Sequence, residues 1–174
     1  MEKKVISPAT KGLFISVALI AFAVVVTVLQ QDTNRSLSII PIAIMLGGIV
    51  WACLSYSKQM DGNVTFGNIF SHGFKASALI AGIMGLWVAL SLTVIFPEAL
   101  DRAMEVQREA MIKKGGISDE DIDKYMTIGR KMAVPMGTIV SVILYLAVGA
   151  ISALLGASIA KKNPNPVFQD KLGN

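Results

Sequence analysis

Four long stretches of this chain contain no charged side chain, and that absence limits the possible folds more than any other feature of the sequence. About 20 apolar residues in a helix cross the roughly 30 Å hydrocarbon core of a bilayer, and one central Asp or Lys would cost about 3 kcal/mol. The runs therefore predict an all-α integral membrane protein, a single membrane domain over residues 1–174, and they argue against a soluble one. We place its four transmembrane spans near residues 12–29, 37–56, 76–96 and 133–160.

Cysteine and histidine are almost missing, since each occurs once, as Cys53 and His72. A single thiol forms no intramolecular disulfide, and Cys53 is expected to pack as a small apolar side chain. One histidine without a cysteine or carboxylate at ligand spacing is poor support for a metal site, and no triad motif surrounds it. We therefore predict no catalytic residue, no cofactor and no metal, with His72 on the wet face of a short helix.

The excess of basic over acidic residues is also small, since the net charge is only +4. The basic residues lie at the ends of the spans, where such side chains anchor helices in the headgroup region. This placement predicts the lipid bilayer as the partner and argues against nucleic acid. The flanking residues are Lys3, Lys4, Lys11, Lys58, Lys75, Lys161 and Lys162.

The amino-terminal segment resembles the basic start of a signal peptide but leads into about 18 apolar residues, longer than the apolar region of such a peptide. No small-residue cleavage pattern precedes Gln30. We therefore expect an uncleaved first helix. Ser7 followed by Pro8 predicts its start, with Ser7 as the N-cap.

The third connection, residues 97–131, holds most of the charge outside the span ends and predicts a helical hairpin outside the membrane. Its first helix should end at Gly115, and Ser118 should cap the second, with acidic residues at its positive end. Pro135 predicts a kink or a broken turn near Lys131, before the fourth span.

The orientation rests on a close comparison of Lys and Arg on the two sides. With both termini inside, each side carries eight cations, and short tails and loops weigh most. We therefore predict that both termini are cytoplasmic. The inner set is Lys3, Lys4, Lys11, Lys58, Lys75, Lys161, Lys162 and Lys171; the outer set is Arg35, Arg102, Arg108, Lys113, Lys114, Lys124, Arg130 and Lys131.

Small residues recur at four-residue spacing in the third and fourth spans, a pattern that lets helix backbones approach closely in a membrane. Such a face serves either a homodimer or packing within the bundle, and we favour the bundle. The two tryptophans, Trp51 and Trp87, are expected to pack between helices. The predicted helix-packing residues are Gly149, Ser152, Ala153, Gly156 and Ala157 in the fourth span, and Ala78, Gly82 and Gly85 in the third.

The phrase TFGNIFSHGFK at residues 65–75, together with the four spans and the long charged loop, resembles an uncharacterised bacterial family of small four-helix membrane proteins, domain of unknown function 4199. The resemblance covers nearly the whole chain and implies fold and location but no activity. It also implies a structural elbow before the third span, with glycines that allow close backbone contact. The elbow residues are Phe66, Gly67, Phe70, Gly73 and Phe74.

Together these features predict a multi-pass protein of the bacterial cytoplasmic (inner) membrane with a non-catalytic role in structure, assembly or interaction. Its expected protein partner is a second copy or another membrane protein. The alternative is a small permease or channel subunit, which the shortage of ionisable residues within the spans disfavours. A lipid-modifying enzyme ranks last and would depend on His72.

Overall fold

The computed structural model describes residues 5–31, 34 and 36–162, and these are helical apart from the connections, with no strand. The predicted all-α fold is confirmed. Lys3, Lys4, Arg35 and Lys171, which enter the orientation argument, lie outside the described residues. Five α-helices follow in order: α1 Pro8–Val28, α2 Ile39–Gln59, α3 Phe66–Leu90, α4 Pro97–Lys114 and α5 Asp119–Ile159.

The helix ends follow local chemistry that the sequence predicts. Ser7 Oγ accepts a hydrogen bond from the amide of Thr10 at 3.1 Å, and Ser118 Oγ accepts one from Asp121 at 3.2 Å. Each bond satisfies one of the amides that a helix start leaves unpaired. Gly115 ends α4 with a φ of +65°, a conformation that glycine adopts without steric cost. These predicted ends are confirmed.

Helices α1, α2, α3 and α5 form a four-helix bundle. The contact between α3 and α5 is the most extensive, α1 packs against α2 and α3, and α2 also contacts α5. Interdigitated aliphatic side chains fill the centre, and these are at most 1% exposed. They are Leu19, Met45, Ile49, Ile69 and Ile80.

The outer surface of the bundle is as apolar as its core. Phe14 of α1 is 68% exposed, Ile39 of α2 is 67% exposed, and Val94 beyond α3 is 71% exposed. Water solvates such side chains poorly, whereas lipid tails solvate them well. Within the part of the chain that the structure describes, four helices are long and apolar enough to cross a membrane, so the chain is a multi-pass membrane protein.

Two predicted breaks in the helices are absent, the elbow before the third span and the broken turn near Lys131, whereas the kink that Pro135 also predicts stays a prediction. Helix α3 runs unbroken from Phe66, with Thr65 as its N-cap, so no elbow separates residues 66–74 from the third span. Helix α5 is one element of 41 residues that includes Pro135. A proline withholds one backbone N–H, and here the surrounding helix continues through that loss, so the chain is not broken near Lys131.

Helix α3 ends in a π-helical segment, Ser91–Ile95, that the sequence does not predict. The amide of Phe96 donates to the carbonyl of Ser91, five residues back, at 2.7 Å. Pro97 disfavours a helical conformation in the residue before it, and Phe96 has φ −137° and ψ 61°. The chain therefore turns at Phe96 into α4.

Helix α4 lies antiparallel to the first turns of α5, and we name this part, residues 97–131, the arm. Arg108 pairs with Asp123 at 2.9 Å, and Arg130 pairs with Asp101 at 2.6 Å. Buried Met104 also faces Gly129. The arm is thus held by exposed ion pairs around a small apolar contact.

Candidate functional site

The most unusual side chain of the bundle is Lys11, which is fully buried in the first turns of α1. Its ammonium donates to the carbonyl of Ala52 in α2 at 3.1 Å. No carboxylate of the described residues forms an ion pair with it. A buried cation without an anionic partner is costly in a membrane protein and typically marks a functional position. The expectation that Lys11 anchors the helix end in water is wrong.

Cys53 lies beside Lys11, at the meeting point of α2, α3 and α5. Its thiol is buried and donates to the carbonyl of Ile69 at 3.7 Å. Two glycines leave the room it needs, since an added Cβ would approach Cys53 Sγ to 2.5 Å at Gly73 and Cys53 Cβ to 2.7 Å at Gly156. Cys53 is therefore part of the packed core, as predicted.

His72 is only 6% exposed, so its predicted position on a wet helix face is wrong. The continuous α3 places it one turn from Ile69 and from Ala76, on the side that faces the bundle. Its ring stacks on Tyr56 with centroids 4.2 Å apart and planes 15° apart. Its Nε2 atom is buried and has no hydrogen-bond partner. Buried polar atoms are normally satisfied, so this one needs an explanation.

An open cleft of about 320 Å³ lies above these buried groups, where the starts of α1 and α3 come together. Lys75 and His72 supply its basic groups. The site therefore combines positive charge with a polar wall. The lining residues are Val5, Ile6, Ser7, Pro8, Tyr56, Asn68, Ser71, His72 and Lys75.

This cluster does not assemble the parts of a familiar catalytic or metal site. Cys53 lies in the packed core, and the cleft's described lining has no carboxylate to orient the His72 ring. Across residues 5–31, 34 and 36–162, no three His, Cys, Asp or Glu side chains are grouped as a metal site requires.

The small residues of α5 lie on its buried side. An added Cβ at Gly149 would overlap Ser77 of α3, and one at Gly156 would approach Cys53 and Val50 of α2. Gly85 of α3 faces Val142 of α5 in the same way. These residues therefore bring α2, α3 and α5 together within one chain. The buried members on α5 are Gly149, Ser152, Ala153, Gly156 and Ala157.

Ala78 and Gly82 of α3 lie elsewhere. Both are exposed, and a Cβ added at Gly82 would meet no heavy atom within 4 Å. They do not pack within the bundle, because they face away from the side on which Ala81 and Gly85 are buried. Trp51 is likewise half exposed rather than packed between helices, whereas Trp87 does contact the core.

The five residues of the supposed elbow divide between two sides of α3. Phe66, Phe70 and Phe74 stack in a row, with ring centroids 6.4 and 5.8 Å apart. Gly73 is buried against α2 and α5, and Gly67 is exposed with only Thr65 near it. Close backbone approach thus applies to Gly73 alone, and the phrase encodes a helix start rather than a bend.

Comparison with known proteins gives one match. A family model described as "Protein of unknown function (DUF4199)" matches residues 10–162, which is most of the chain. The resemblance inferred from residues 65–75 and the arrangement of spans is confirmed. No curated protein and no solved structure matches the chain.

Proposed function

The chain belongs to the family of proteins of unknown function DUF4199, and we propose that it is a non-catalytic assembly or interaction protein of a bacterial cytoplasmic membrane. In this proposal the arm is the surface that contacts another protein, either a second copy or a different membrane protein. Both termini face the cytoplasm, and the arm lies on the opposite side.

The dimensions of α5 support an arm that projects from the bilayer. A helix of 41 residues is about 60 Å long, twice the roughly 30 Å thickness of the hydrocarbon core. Its last 28 residues are uncharged and suffice to cross the core, whereas seven charged residues lie between Asp119 and Lys131. Charge at this density belongs in water, so the first part of α5 and its partner α4 extend beyond the lipid.

The observation that carries the proposal is an exposed apolar stripe on α5 that runs along the arm to Met132, the first residue of the uncharged part of the helix. Tyr125, Ile128 and Met132 follow one another at helical spacing, and they are 55%, 60% and 51% exposed. Side chains spaced in this way form one face of a helix. In water, burial of such a face against another protein is favourable.

Cysteine cross-linking of the membrane-embedded full chain tests the proposal. Ile128→Cys should give a discrete cross-linked species, at twice the chain mass for a second copy or at another fixed mass for a different partner. Tyr125→Glu in the same chain should abolish it by placing a charge in the contact. Cys53 is buried and contributes no background.

The matched control is Thr127→Cys, one residue away on the same exposed helix but outside the stripe. It should cross-link far less. If Ile128→Cys remains monomeric, or cross-links no better than Thr127→Cys, the arm is not an interaction surface and the proposal fails.

A second candidate, a small permease or channel subunit, is favoured by one feature. At the end of the bundle away from the termini, a cavity of about 240 Å³ is lined partly by polar side chains, including Thr27, Gln31 and Asn34. Packed residues such as Met45 and Ile80 lie between it and the cleft, so transport would require the helices to separate. Solute flux into reconstituted vesicles would favour this alternative.

A further inference from the structure

The two ion pairs of the arm lie on one of its faces. Met104 and Gly129 mark the line along which α4 and α5 meet. At about 100° per residue, Arg108 and Asp123 lie on the same side of that line, where they bond to each other, and the second ion pair lies there too. The opposite face of the arm therefore carries neither pair.

That opposite face is apolar on both helices, because the stripe on α5 adjoins a second stripe on α4. The α4 stripe consists of exposed residues at spacings of three and four positions, with Val106 50% exposed at its centre. Every member of the two stripes lies about 140° to 180° around its helix from Arg108 or Asp123. We name the two stripes the apolar face, and its members are Ala103, Val106 and Ala110 of α4 and Tyr125, Ile128 and Met132 of α5.

The register of the two helices places the smaller side chains of α4 level with larger ones of α5. The helices run in opposite directions from the pair of Arg108 and Asp123. Counting back along α4 and forward along α5 by the same number of residues therefore reaches the same height. Two such level pairs are Val106 with Tyr125 and Ala103 with Ile128.

A second copy of the chain meets this face at the right height and orientation. The stripe reaches Met132, where the uncharged part of α5 begins, so a partner that covers it must lie against the membrane surface. Copies inserted with the same topology hold their arms parallel and level with one another. A two-fold axis along the arms then sets α4 of each copy against α5 of the other, large side chains against small ones.

Charges at the tip of the arm are complementary in the same arrangement. Lys114 is one turn beyond Ala110 on α4, and Asp121 is one turn before Tyr125 on α5, so both lie beside the apolar face. Both are exposed, and neither forms an ion pair with another described residue. With two copies face to face, Lys114 of each lies near Asp121 of the other.

We propose that two copies of this protein associate through the apolar faces of their arms. Helices α4 and α5 of both copies then form a four-helix bundle outside the lipid, with a cross-chain pair of Lys114 and Asp121 at either side of its tip. This inference rests on the proposed interaction role and names the partner as a second copy.

Exchange of charge between the two tip residues tests the arrangement directly. Native mass spectrometry of the full-length chain, released from a mild maltoside detergent, should detect dimers. Lys114→Glu alone brings two carboxylates together at each tip contact, and Asp121→Lys alone brings two ammoniums together. Each variant should dimerise about tenfold more weakly than the unchanged chain, through the loss of two ion pairs and the gain of like-charge contacts.

Mixing the two variants should restore the dimer, because both cross-chain pairs are then again of opposite charge. With Lys114→Glu labelled with ¹⁵N, the mixed dimer is recognised by its intermediate mass. Repulsion within one chain would persist after mixing, so this recovery reports on contacts between copies. Failure of the mixture to dimerise better than either variant alone would overturn the inference.

Two exposed apolar residues of α4 provide a matched pair for the face itself. Val106→Glu places a charge within the apolar face and should leave the chain monomeric. Ile112 is 56% exposed but lies one turn beyond Arg108, on the face that carries the ion pairs, so Ile112→Glu should leave the dimer intact. Equal effects of the two substitutions would place the contact elsewhere and contradict the inference.

The outcome for the unchanged chain separates this inference from the proposed function. A chain that is monomeric in native mass spectrometry, while Ile128→Cys is still trapped with a different protein in its membrane, overturns the second copy as partner and leaves the interaction role in place. Loss of both the dimer and every Ile128→Cys cross-link overturns the two together.

Discussion

The two ends of this molecule are held together by opposite means. At the end near the termini, α2, α3 and α5 approach so closely that two glycines face a buried thiol. In the arm, α4 and α5 are joined by ion pairs whose partners remain more than half exposed. In lipid, where helices gain little from the hydrophobic effect, close packing must supply the stability. In water, a surface can carry charged side chains at little cost in free energy, and the ion pairs that they form contribute little to stability.

The largest effect should come from filling the closest helix contact. A leucine at Gly149 would overlap Ser77 and approach Met45, both in the core. Gly149→Leu should lower the free energy of unfolding by about 3 kcal/mol or prevent folding, because overpacking here has no room to relax. The measurement is the fraction of protein that remains monodisperse after heating in detergent.

The control for this substitution is Gly82→Leu, on the exposed side of α3 with open space around it. It should leave the heating midpoint unchanged. Equal tolerance of both substitutions would show that the contact between α3 and α5 is looser than the structure indicates.

A smaller effect, of opposite sign, is expected at Lys11. Replacing a buried charge by an apolar side chain of similar length is often stabilising, and Lys11→Met should raise the free energy of unfolding by about 1 kcal/mol. Chemical unfolding in mixed micelles measures this effect.

Lys58→Met is the comparison for Lys11→Met, since Lys58 is exposed. Its effect should stay within about 0.5 kcal/mol. A loss of stability at Lys11 larger than at Lys58 would mean that the ammonium stabilises the bundle through its bond to Ala52, and the reasoning from burial would be wrong.

The smallest effect belongs to the arm. A double-mutant cycle of Arg108→Ala and Asp123→Ala should give a coupling of about 0.5 kcal/mol or less, because both side chains are exposed. High salt should remove it. Hydrogen exchange of the arm amides provides the readout. A coupling above about 1.5 kcal/mol that survives high salt would contradict the contrast between the two ends.

The sequence predicts the helices well because its strongest signals are local. The uncharged runs locate the four long helices, Ser7 and Ser118 locate two starts, and Gly115 locates an end. Each signal depends on neighbouring residues and on the solvent. The same residues carry no information about which distant helix each element will meet.

Which face of each helix would pack could not be predicted as well. In α1 and α3 nearly every side is apolar, so periodicity does not separate the face in contact with protein from the face in contact with lipid. Four-residue spacing of small residues identifies the packed face of α5 but applies equally to the exposed pair Ala78 and Gly82.

The candidate site was missed for the same reason. Lys11 near a helix end is expected to extend toward water, and only the spacing from Lys11 to Ile15 and Leu19 hints that it faces inward. His72 appeared exposed because the polar residues Asn68, Ser71 and His72 lie between phenylalanines at helical spacing, as in a short amphipathic helix. Once α3 is continuous, its phase is fixed by Ile69 and Ala76, and the ring turns into the bundle.

The π-helical turn at Ser91–Ile95 determines the direction in which the chain continues after α3. An extra residue in a turn rotates the subsequent chain by about 100° relative to an uninterrupted α-helix. The direction, around the axis of α3, in which the chain leaves the helix therefore depends on the number of residues in this one turn. Loss of a single residue there would point α4 toward a different neighbour without altering any side chain that it presents.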